Sequence, residues 1–193
     1  MRKSLLFVWA CMGLVCLMSA CKTSVKSKEW KLVWVEDFDQ KNSFDESVWT
    51  KIPRGTSDWN NYMSYYDSCY AMQDGNLILR GIANHTQKND TAPYLTGGVY
   101  TKGKKLFTGG RVEVCARLQA AKGAWPAIWM LPEKAEWPKG GEIDIMERLN
   151  HDHIAYQTTH SYYTHILGIK DNPPHGGLSL IHISEPTRLG MIS

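Results

Sequence analysis

The stretch GGEIDIMERLN, residues 140–150, combines a strand-like pattern with a concentration of acids. Glu142 and Asp144 alternate with isoleucines, as on a β-strand with one face in the core and one in solvent. Glu147 is one residue out of step, so a regular strand would bury its carboxylate, which is costly without a partner. A β-bulge at residues 145–146 would return Glu147 to the face of the other two acids.

This bulge predicts which side chains meet on the strand. Ile143 and Ile145 should face the core, and the three acids should share the outer face. Carboxyl groups on residues roughly 6 to 7 Å apart along a strand can approach the roughly 5 to 5.5 Å spacing of a retaining glycosidase. Like charges also separate the pKa values of neighbouring acids, so one carboxyl can hold its proton near neutral pH. An acidic strand facing solvent, or half of a cation site, would show the same local pattern.

Short strands continue on both sides of this stretch. Alternating or β-prone segments occupy residues 31–39, 75–83, 109–119 and 124–131, with glycine-rich turns between them. The sequence has no long helical periodicity, internal repeat or low-complexity segment. This organisation predicts an all-β antiparallel sandwich or barrel.

Composition limits the classes of function. The 193 residues suffice for one domain, and 43% hydrophobic with 21% charged residues is a globular composition. The formal net charge of +3 is too small to argue for nucleic acid, and no stretch interleaves Lys/Arg with aromatics. We therefore predict no nucleic-acid partner.

The N-terminus is predicted to be an export signal. A basic start, an apolar run and two small residues precede Cys21, a pattern that resembles a bacterial lipoprotein signal over residues 1–20 with lipid placed on Cys21. The apolar run is short for a membrane span, so the predicted membrane contact is the lipid alone, followed by a polar tether over residues 21–30. The predicted location is the outer membrane, on its periplasmic or cell-surface side. An ordinary secretory signal cut near Ala20 is the alternative, and it would make the protein secreted.

Two cysteines remain in the mature chain, Cys69 and Cys115. Their separation in sequence does not establish a disulfide in an exported protein. We favour buried free thiols. Neither a CxxC motif nor zinc-like Cys and His spacing is present, so no metal centre is predicted.

Three segments together carry a family resemblance. EIDIME matches the pattern E-x-D-x-x-E in its bulged form, and GRVEVCARLQAAKGAWPAIWMLP (residues 110–132) precedes it with WPKGG between. NNYMSYY (residues 60–66) adds a stretch of cleft-lining type. Over residues 31–177 the sequence resembles glycoside hydrolase family 16, specifically its laminarinase-like β-glucanases.

The resemblance implies a fold and a mechanism. The fold would be a concanavalin A-like β-jelly-roll, a sandwich of two curved antiparallel sheets with a cleft on the concave face. The activity would be internal cleavage of a β-linked polysaccharide with retention of configuration. By position, Glu142 would be the nucleophile and Glu147 the general acid/base, with Asp144 hydrogen-bonded to the nucleophile. No cofactor is required, although the complete domain allows a structural calcium away from the cleft.

The resemblance also implies substrate-binding residues. Trp125 and Trp137 lie near strand ends and would serve as sugar platforms, because an indole complements the apolar face of a pyranose. Alternation predicts Trp129 in the core. His160, on the expected neighbouring strand, would help to order the acids beside the substrate, and Asn61 is a polar candidate.

Neutral glucans are the predicted substrates, either β-1,3-glucan or the mixed β-1,3/1,4 kind. The sulfated or anhydro sugars of carrageenan and agar remain an alternative, but sulfate favours arginine clusters and only Arg148 adjoins the acids. A non-catalytic glycan-binding surface lipoprotein with the same fold is a second alternative. Loss of Glu142 or Glu147 would have favoured binding alone, and both are present. We predict a monomer.

The C-terminal stretch departs from the family pattern. LSLIHISEPTR, residues 178–188, resembles the in-frame translation of a transposon-end adapter used in making sequencing libraries. A natural divergent tail is the alternative. We therefore expect residues 31–177 to be the N-terminal part of a catalytic domain and residues 178–193 to be a non-native tail. The jelly roll would then be incomplete at its C-terminus, the chain would be an inactive fragment, and the tail would pack poorly.

Overall fold

The computed structural model describes residues 30–40, 42–169, 176–180 and 187–192, the last two ranges as backbone strands. The predicted signal peptide, the cysteine predicted to carry lipid and all but the last residue of the predicted tether lie outside these ranges. Within them, no helix has the length and apolar character needed to cross a membrane.

The chain divides into two compact units, Met1–Val33 and Trp34–Ser193. In the first unit, described residues 30–33 form neither helix nor strand, and the side chains of Leu32 and Val33 are largely exposed. The second unit contains all the helices and strands of the described residues.

Short β-strands dominate this second unit. They are β1 (Thr50–Lys51), β2 (Tyr70–Gln73), β3 (Asn76–Leu79), β4 (Gly81–Ala83), β5 (Tyr94–Thr96), β6 (Val99–Tyr100), β7 (Arg111–Ala116), β8 (Ala127–Met130), β9 (Glu142–Glu147), β10 (Ile154–His160), β11 (Gly176–Leu180) and β12 (Thr187–Ile192). A single 3-10 turn at Asp67–Cys69 and a short helix α1 at Tyr162–His165 are the helical elements of the described ranges.

The strand ladders are antiparallel, as predicted for an all-β chain. A four-stranded sheet has the order β11-β10-β9-β8, and the remaining described strands pair as β1 with β6, β2 with β3, β4 with β5, and β7 with β12. The acidic stretch forms β9, so it lies in the interior of the largest sheet with a strand on each side. Both of its neighbours can therefore contribute side chains to the face that carries the acids.

Local patterns predicted several strands well. In β7, Val112, Val114 and Ala116 are partly buried and alternate with exposed Glu113 and Cys115, because successive side chains of a strand point to opposite faces. The predicted strand at 75–83 is divided into β3 and β4. The backbone N–H of the intervening residue leaves the ladder and donates instead to the carbonyl of the buried Cys69.

The predicted strand at residues 31–39 is wrong. The segment alternates in sequence but forms no strand, because no strand in the described ranges pairs with its backbone. Side chains hold its second half instead. The ring of Trp34 lies 5.5 Å from that of Phe107 and 6.2 Å from that of Trp49, whose indole nitrogen donates to Glu36.

The tail pairs more regularly than we expected. The last three residues of β11, which belong to the tail, pair with β10, and the backbone of Thr187–Ile192 pairs with β7 along its whole length. An open strand edge presents unpaired N–H and C=O groups that any extended segment can satisfy, so this pairing does not depend on side-chain identity. The predicted non-native origin of the tail stays a prediction.

Cys69 and Cys115 are free thiols, as we favoured, but only one is buried. Cys69 is inaccessible, and burial raises the pKa of its thiol. Cys115 is exposed, contrary to the prediction, because its position in β7 directs it to the face opposite the partly buried valines.

Candidate active site

The predicted bulge is present in β9. Between Asp144 and Glu147 the strand has two residues, Ile145 and Met146, where the facing strand β10 has Gln157 alone. The register with β8 slips at the same place. Because two residues occupy the space of one, Glu147 returns to the side of the strand that carries the other acids.

Gln157 satisfies the backbone at this bulge. Its side-chain amide donates to the carbonyl of Ile145 over 3.1 Å, in the place where the ladder is interrupted. Ile145 and Met146 are 2% and 0% exposed, so the bulge is packed into the interior. Gln157 was not among the residues predicted from sequence, although an amide three residues before His160 on the neighbouring strand was a usable signal.

The isoleucines of β9 differ in burial. Ile145 is in the core as predicted, but Ile143 is 37% exposed, contrary to the prediction. It pairs with Met130 on β8 and Thr159 on β10, and the described residues cover that face of the sheet only in part.

Asp144 is the buried member of the acid set, with 4% of its surface exposed. Its Oδ2 lies 3.1 Å from Nε2 of His160, which pairs with Glu142 across the β9–β10 ladder. Burial, then the charges of Glu147 and Glu142, raise the pKa of Asp144 to about 6, and His160 opposes this rise. A hydrogen bond with Glu142 further favours the protonated carboxyl. One acid of the cluster therefore has its pKa raised toward neutrality, chiefly because it is buried and only then because of the like charges considered in the sequence.

The two predicted sugar platforms each contact one glutamate. The indole nitrogen of Trp125 donates to Oε1 of Glu147 over 2.8 Å, and that of Trp137 donates to Oε2 of Glu142 over 2.5 Å. Both side chains are about half exposed, at 47% and 48%. The structure thus brings both tryptophans to the acids, and their role as platforms stays a prediction.

One further tryptophan lies on the acid side of the sheet and a second packs against it, and neither was predicted from sequence as a site residue. Trp129, predicted in the core, pairs with Asp144 across the β8–β9 ladder and is only partly buried. Directly paired residues project from the same face of a sheet, so Trp129 lies on the acid side. Trp59 packs edge-on against it with ring centroids 5.0 Å apart.

His165 extends the cluster on the other side. It ends helix α1, which begins after Ser161 accepts a hydrogen bond from the backbone N–H of Thr164. Its ring lies 4.4 Å from Trp137 and 6.2 Å from His160. A serine cap directly after the strand that ends at His160 was the available signal for this helix.

Asn61 is not joined to the acids by hydrogen bonds. Its backbone N–H donates to Ser57, and its side-chain Oδ1 is buried with no hydrogen-bond partner among the described residues. Arg148 is also not available to a ligand at the acids, because it is 1% exposed and donates to the carbonyls of Leu118 and Asp152. In the part of the chain that is described, no group of three or more His, Cys, Asp or Glu residues is arranged to hold a metal ion.

The sequence that forms this site matches a known family of catalytic domains. Residues 70–175 match the sequence profile described as "XgeA-like, catalytic GH16 domain", where GH16 is glycoside hydrolase family 16. The chain belongs to glycoside hydrolase family 16. The match includes the three acids, both half-exposed tryptophans and His160, whereas Asn61 and Cys21 lie outside it.

Curated relatives of this family 16 chain differ in activity. It is 42% identical over 144 residues to a keratan-sulfate endo-1,4-β-galactosidase of Sphingobacterium multivorum, covering 72% of this chain and 34% of that protein. It is 34% identical over 163 residues to a β-glucanase of Rhodothermus marinus, covering 79% of this chain and 56% of that protein. The chain thus spans between a third and just over half of the length of these relatives.

The fold agrees with solved members of the family. The X-ray structure of the laminarinase from Rhodothermus marinus superposes with a TM-score of 0.71 at 30% identity, covering 84% of this chain and 67% of that one. The family 16 chain therefore has the β-jelly-roll fold that its sequence predicted.

Proposed function

We propose that the natural protein, meaning the product of the gene without the adapter-like tail, is an endo-acting, retaining glycoside hydrolase. It would cleave a β-linked polysaccharide. The observation that carries this proposal is the bulge in β9, which gathers Glu142, Asp144 and Glu147 on one face while an indole N–H meets each glutamate. Family membership adds the expectation that this acid set is catalytic.

In the proposed reaction Glu142 attacks the anomeric carbon while Glu147 protonates the departing glycosidic oxygen. The result is a covalent glycosyl-enzyme and a shortened polysaccharide. Glu147, now ionised, then removes a proton from water, which displaces Glu142 and restores both carboxyls. Two displacements at the same carbon leave the β-configuration unchanged.

Asp144 would share charge with the nucleophile. Its pKa is raised to about 6 chiefly by burial, so the carboxyl is half protonated near pH 6 and, in that form, can donate a hydrogen bond to Glu142. When Glu142 becomes an ester in the intermediate, it no longer repels a charge on Asp144. His160, whose Nε2 lies 3.1 Å from Oδ2, is placed to contact the ionised Asp144.

Trp125 and Trp137 would bind sugar rings beside the reacting bond. Each indole is anchored by its nitrogen to a glutamate and leaves about half of its surface exposed. A flat exposed ring complements the C–H face of a pyranose. Asn61 is the polar residue that we propose for a substrate hydroxyl, which would have to reach an Oδ1 that is buried and has no partner among the described residues.

Neutral β-1,3- or mixed β-1,3/1,4-glucan is the substrate class that we propose first. The relatives include a β-glucanase, and the arginine next to the acids is buried away from them. A β-1,4-galactoside chain is the second candidate, favoured by 42% identity to a protein named as a keratan-sulfate endo-1,4-β-galactosidase.

The test uses this natural protein. Laminarin, lichenan and keratan sulfate are offered in parallel, with proton NMR of the fresh reducing ends. We expect oligosaccharides whose first anomer is β. Initial α-product would contradict the retaining mechanism, and cleavage of keratan sulfate alone would replace the glucan assignment with the galactoside one. Binding to any of these chains without cleavage would support the non-catalytic alternative.

We also propose that this protein is an exported monomer carried on a lipid at Cys21, and that residues 178–193 replace native sequence. The export motif supports the lipid anchor, and the adapter-like stretch supports the replaced tail. Mass spectrometry of the membrane fraction should find a lipid on the natural protein and none on Cys21→Ala. Light scattering of the domain without its lipid tests the monomer. The gene sequence downstream of Gly177 tests whether the tail replaces native sequence.

A further inference from the structure

Arg148 has an unusual environment for a charged residue. It follows Glu147 in sequence, yet it is 1% exposed. Its Nε donates to the carbonyl of Asp152 over 2.8 Å and its Nη1 to that of Leu118 over 2.9 Å. Its buried Nη2 has no hydrogen-bond partner in the described ranges. Burial of a guanidinium opposes folding. The position of Arg148 is therefore better explained by the geometry that it imposes on its neighbours than by a contribution to stability.

The two carbonyls belong to different loops. Leu118 lies just after β7, at the start of the loop that leads to Trp125, and Asp152 lies in the loop between β9 and β10. A planar guanidinium can donate to both at once, which a lysine ammonium cannot do with the same fixed geometry. Arg148 therefore links the N-terminal end of the 118–125 loop, by hydrogen bonds, to the C-terminal end of the acidic strand β9.

Asn150 ties the other end of the same loop. Its side-chain Oδ1 accepts from the backbone N–H of Gly123 over 2.7 Å, and its backbone N–H donates to the carbonyl of Ala124 over 2.8 Å. Asn150 has a φ of 52°, a left-handed conformation that asparagine tolerates better than most residues. Both ends of residues 118–124 are thus held from the segment that follows Glu147.

Trp125 is the next residue along this loop. Its indole nitrogen reaches Glu147 over 2.8 Å, although the side chain is 47% exposed and so lacks full packing support. The position of the indole must therefore come largely from the backbone that carries it. The backbone N–H of Arg148 also donates to Pro126, which follows the tryptophan.

We propose that Arg148 and Asn150 are positioning residues that fix the 118–125 loop and, through Trp125, orient the carboxyl of Glu147. The proposal rests on the proposed function only where it gives Glu147 the role of general acid/base. The loop geometry itself can be tested without any turnover.

The first experiment measures indole N–H resonances of the natural protein by nitrogen–proton NMR. Trp125→Phe identifies the resonance, and Glu147→Gln shows how it responds when its carboxylate acceptor becomes an amide. We expect Arg148→Lys and Asn150→Leu to shift or broaden the same resonance, and Asn150→Asp, which keeps an acceptor for Gly123, to restore it. Arg80→Lys is the matched control, because Arg80 also donates to a backbone carbonyl, that of Ser68, outside this loop.

An unmoved Trp125 resonance in both Arg148→Lys and Asn150→Leu would overturn the proposal. If Arg148→Lys does not fold, Asn150→Leu carries the test, because it leaves the guanidinium in place. This outcome does not depend on whether the protein is a glycosidase.

The second experiment compares kcat/KM for aryl β-laminaribiosides with dinitrophenyl and phenyl leaving groups, or aryl β-lactosides if keratan sulfate is the polymer cleaved. A misplaced general acid slows the phenyl compound roughly tenfold or more and spares the dinitrophenyl compound, which needs no proton. A merely structural defect lowers both rates equally, and that result would overturn the proposal. Failure of all the aryl glycosides with the unaltered natural protein would count against the proposed function instead.

Discussion

Trp137 and Glu142 are joined by a 2.5 Å hydrogen bond from the indole nitrogen to the carboxylate, although the indole is 48% exposed. Hydrogen bonds to a charged acceptor are among the stronger ones in proteins. The edge of the ring is therefore held by the proposed nucleophile, and its surface is shared between solvent and His165. A sugar ring stacked on this indole would lie directly beside the attacking carboxylate.

Two substitutions should separate these roles of Trp137. Trp137→Ala removes both the ring and the N–H, and we expect oligosaccharide binding to weaken by about 1 kcal/mol or more. Trp137→Phe keeps an aromatic face and should retain most of the affinity while turnover falls, because the nucleophile loses its donor. Calorimetry with laminari-oligosaccharides and steady-state rates measure the two effects.

Tyr94→Ala is the control for this pair, since it also removes an exposed ring, here 57% exposed on β5. Unchanged affinity in Trp137→Ala would show that the ring is not a platform. A large fall in its melting temperature would identify it as a structural residue.

Asp144→Asn should stabilise the folded protein at neutral pH. The pKa of Asp144 is about 6 in the fold against an ordinary value of 3.8, so the folded state holds this proton more tightly than the unfolded chain does. The stability that this bound proton gives the folded state is therefore fully present below pH 4 and is lost as the pH rises through 6. Asparagine mimics the protonated carboxyl, and the gain should reach at most about 3 kcal/mol above pH 7 and vanish below pH 4.

Urea unfolding at pH 3.5 and pH 7.5 measures this difference. The exposed Asp58 provides the control substitution, Asp58→Asn, for which no such gain is expected. If Asp144→Asn is less stable than the unaltered protein at pH 7.5, burial does not govern this carboxyl in the way we describe.

Azide should distinguish the two glutamates. In Glu142→Ala, azide can enter the space of the nucleophile and give an α-glycosyl azide from an activated substrate. In Glu147→Ala the nucleophile remains, so azide attacks the glycosyl-enzyme and gives the β-product. Turnover of polysaccharide should fall by roughly 10² to 10⁴ in Glu147→Ala. NMR of the products decides between the two assignments. If Glu142→Ala gave the β-azide and Glu147→Ala the α-azide, the two glutamates would have exchanged roles. Glu136→Ala, at an exposed position, serves as the control.

Gln157 should be required for the bulge. Gln157→Leu leaves the carbonyl of Ile145 without its donor and should destabilise the protein by about 1 to 3 kcal/mol. Gln157→Glu presents a second acceptor at neutral pH, and its stability should recover in acid, where the protonated side chain can donate. Denaturation at two pH values measures this recovery. An exposed glutamine on β2 gives the control Gln73→Leu, and equal losses in the two Leu variants would refute a special role for Gln157.

Residues 22–177 alone should not fold cooperatively or hydrolyse laminarin. If native sequence follows Gly177, as we propose, its absence exposes strand edges and inner faces whose burial outweighs a typical net stability of about 5 to 15 kcal/mol. Circular dichroism melts and reducing-sugar release compare this piece with the natural protein. A cooperative melt with comparable turnover would show that the later sequence is dispensable.

Local pattern predicted the acidic strand and its bulge because both depend on spacing along a single segment. A period-two alternation with one residue out of step has few ways to avoid burying Glu147, and β9 adopts the bulge. The same kind of information predicted β7 and the antiparallel class. It failed for residues 31–39, because a strand needs a partner and a pattern within one segment cannot supply one.

The sequence by itself determined which acids lie together, through spacing on one bulged strand, and the family motif assigned them chemistry. Only the tertiary structure decided what surrounds them. Asp144 is buried, Trp129 is turned to the acid face and Arg148 is turned away from it, because each orientation depends on side chains from distant segments. A pKa is set by those same neighbours through burial and charge, so the raised pKa of Asp144 depends on the assembled sheet rather than on the order of residues within β9.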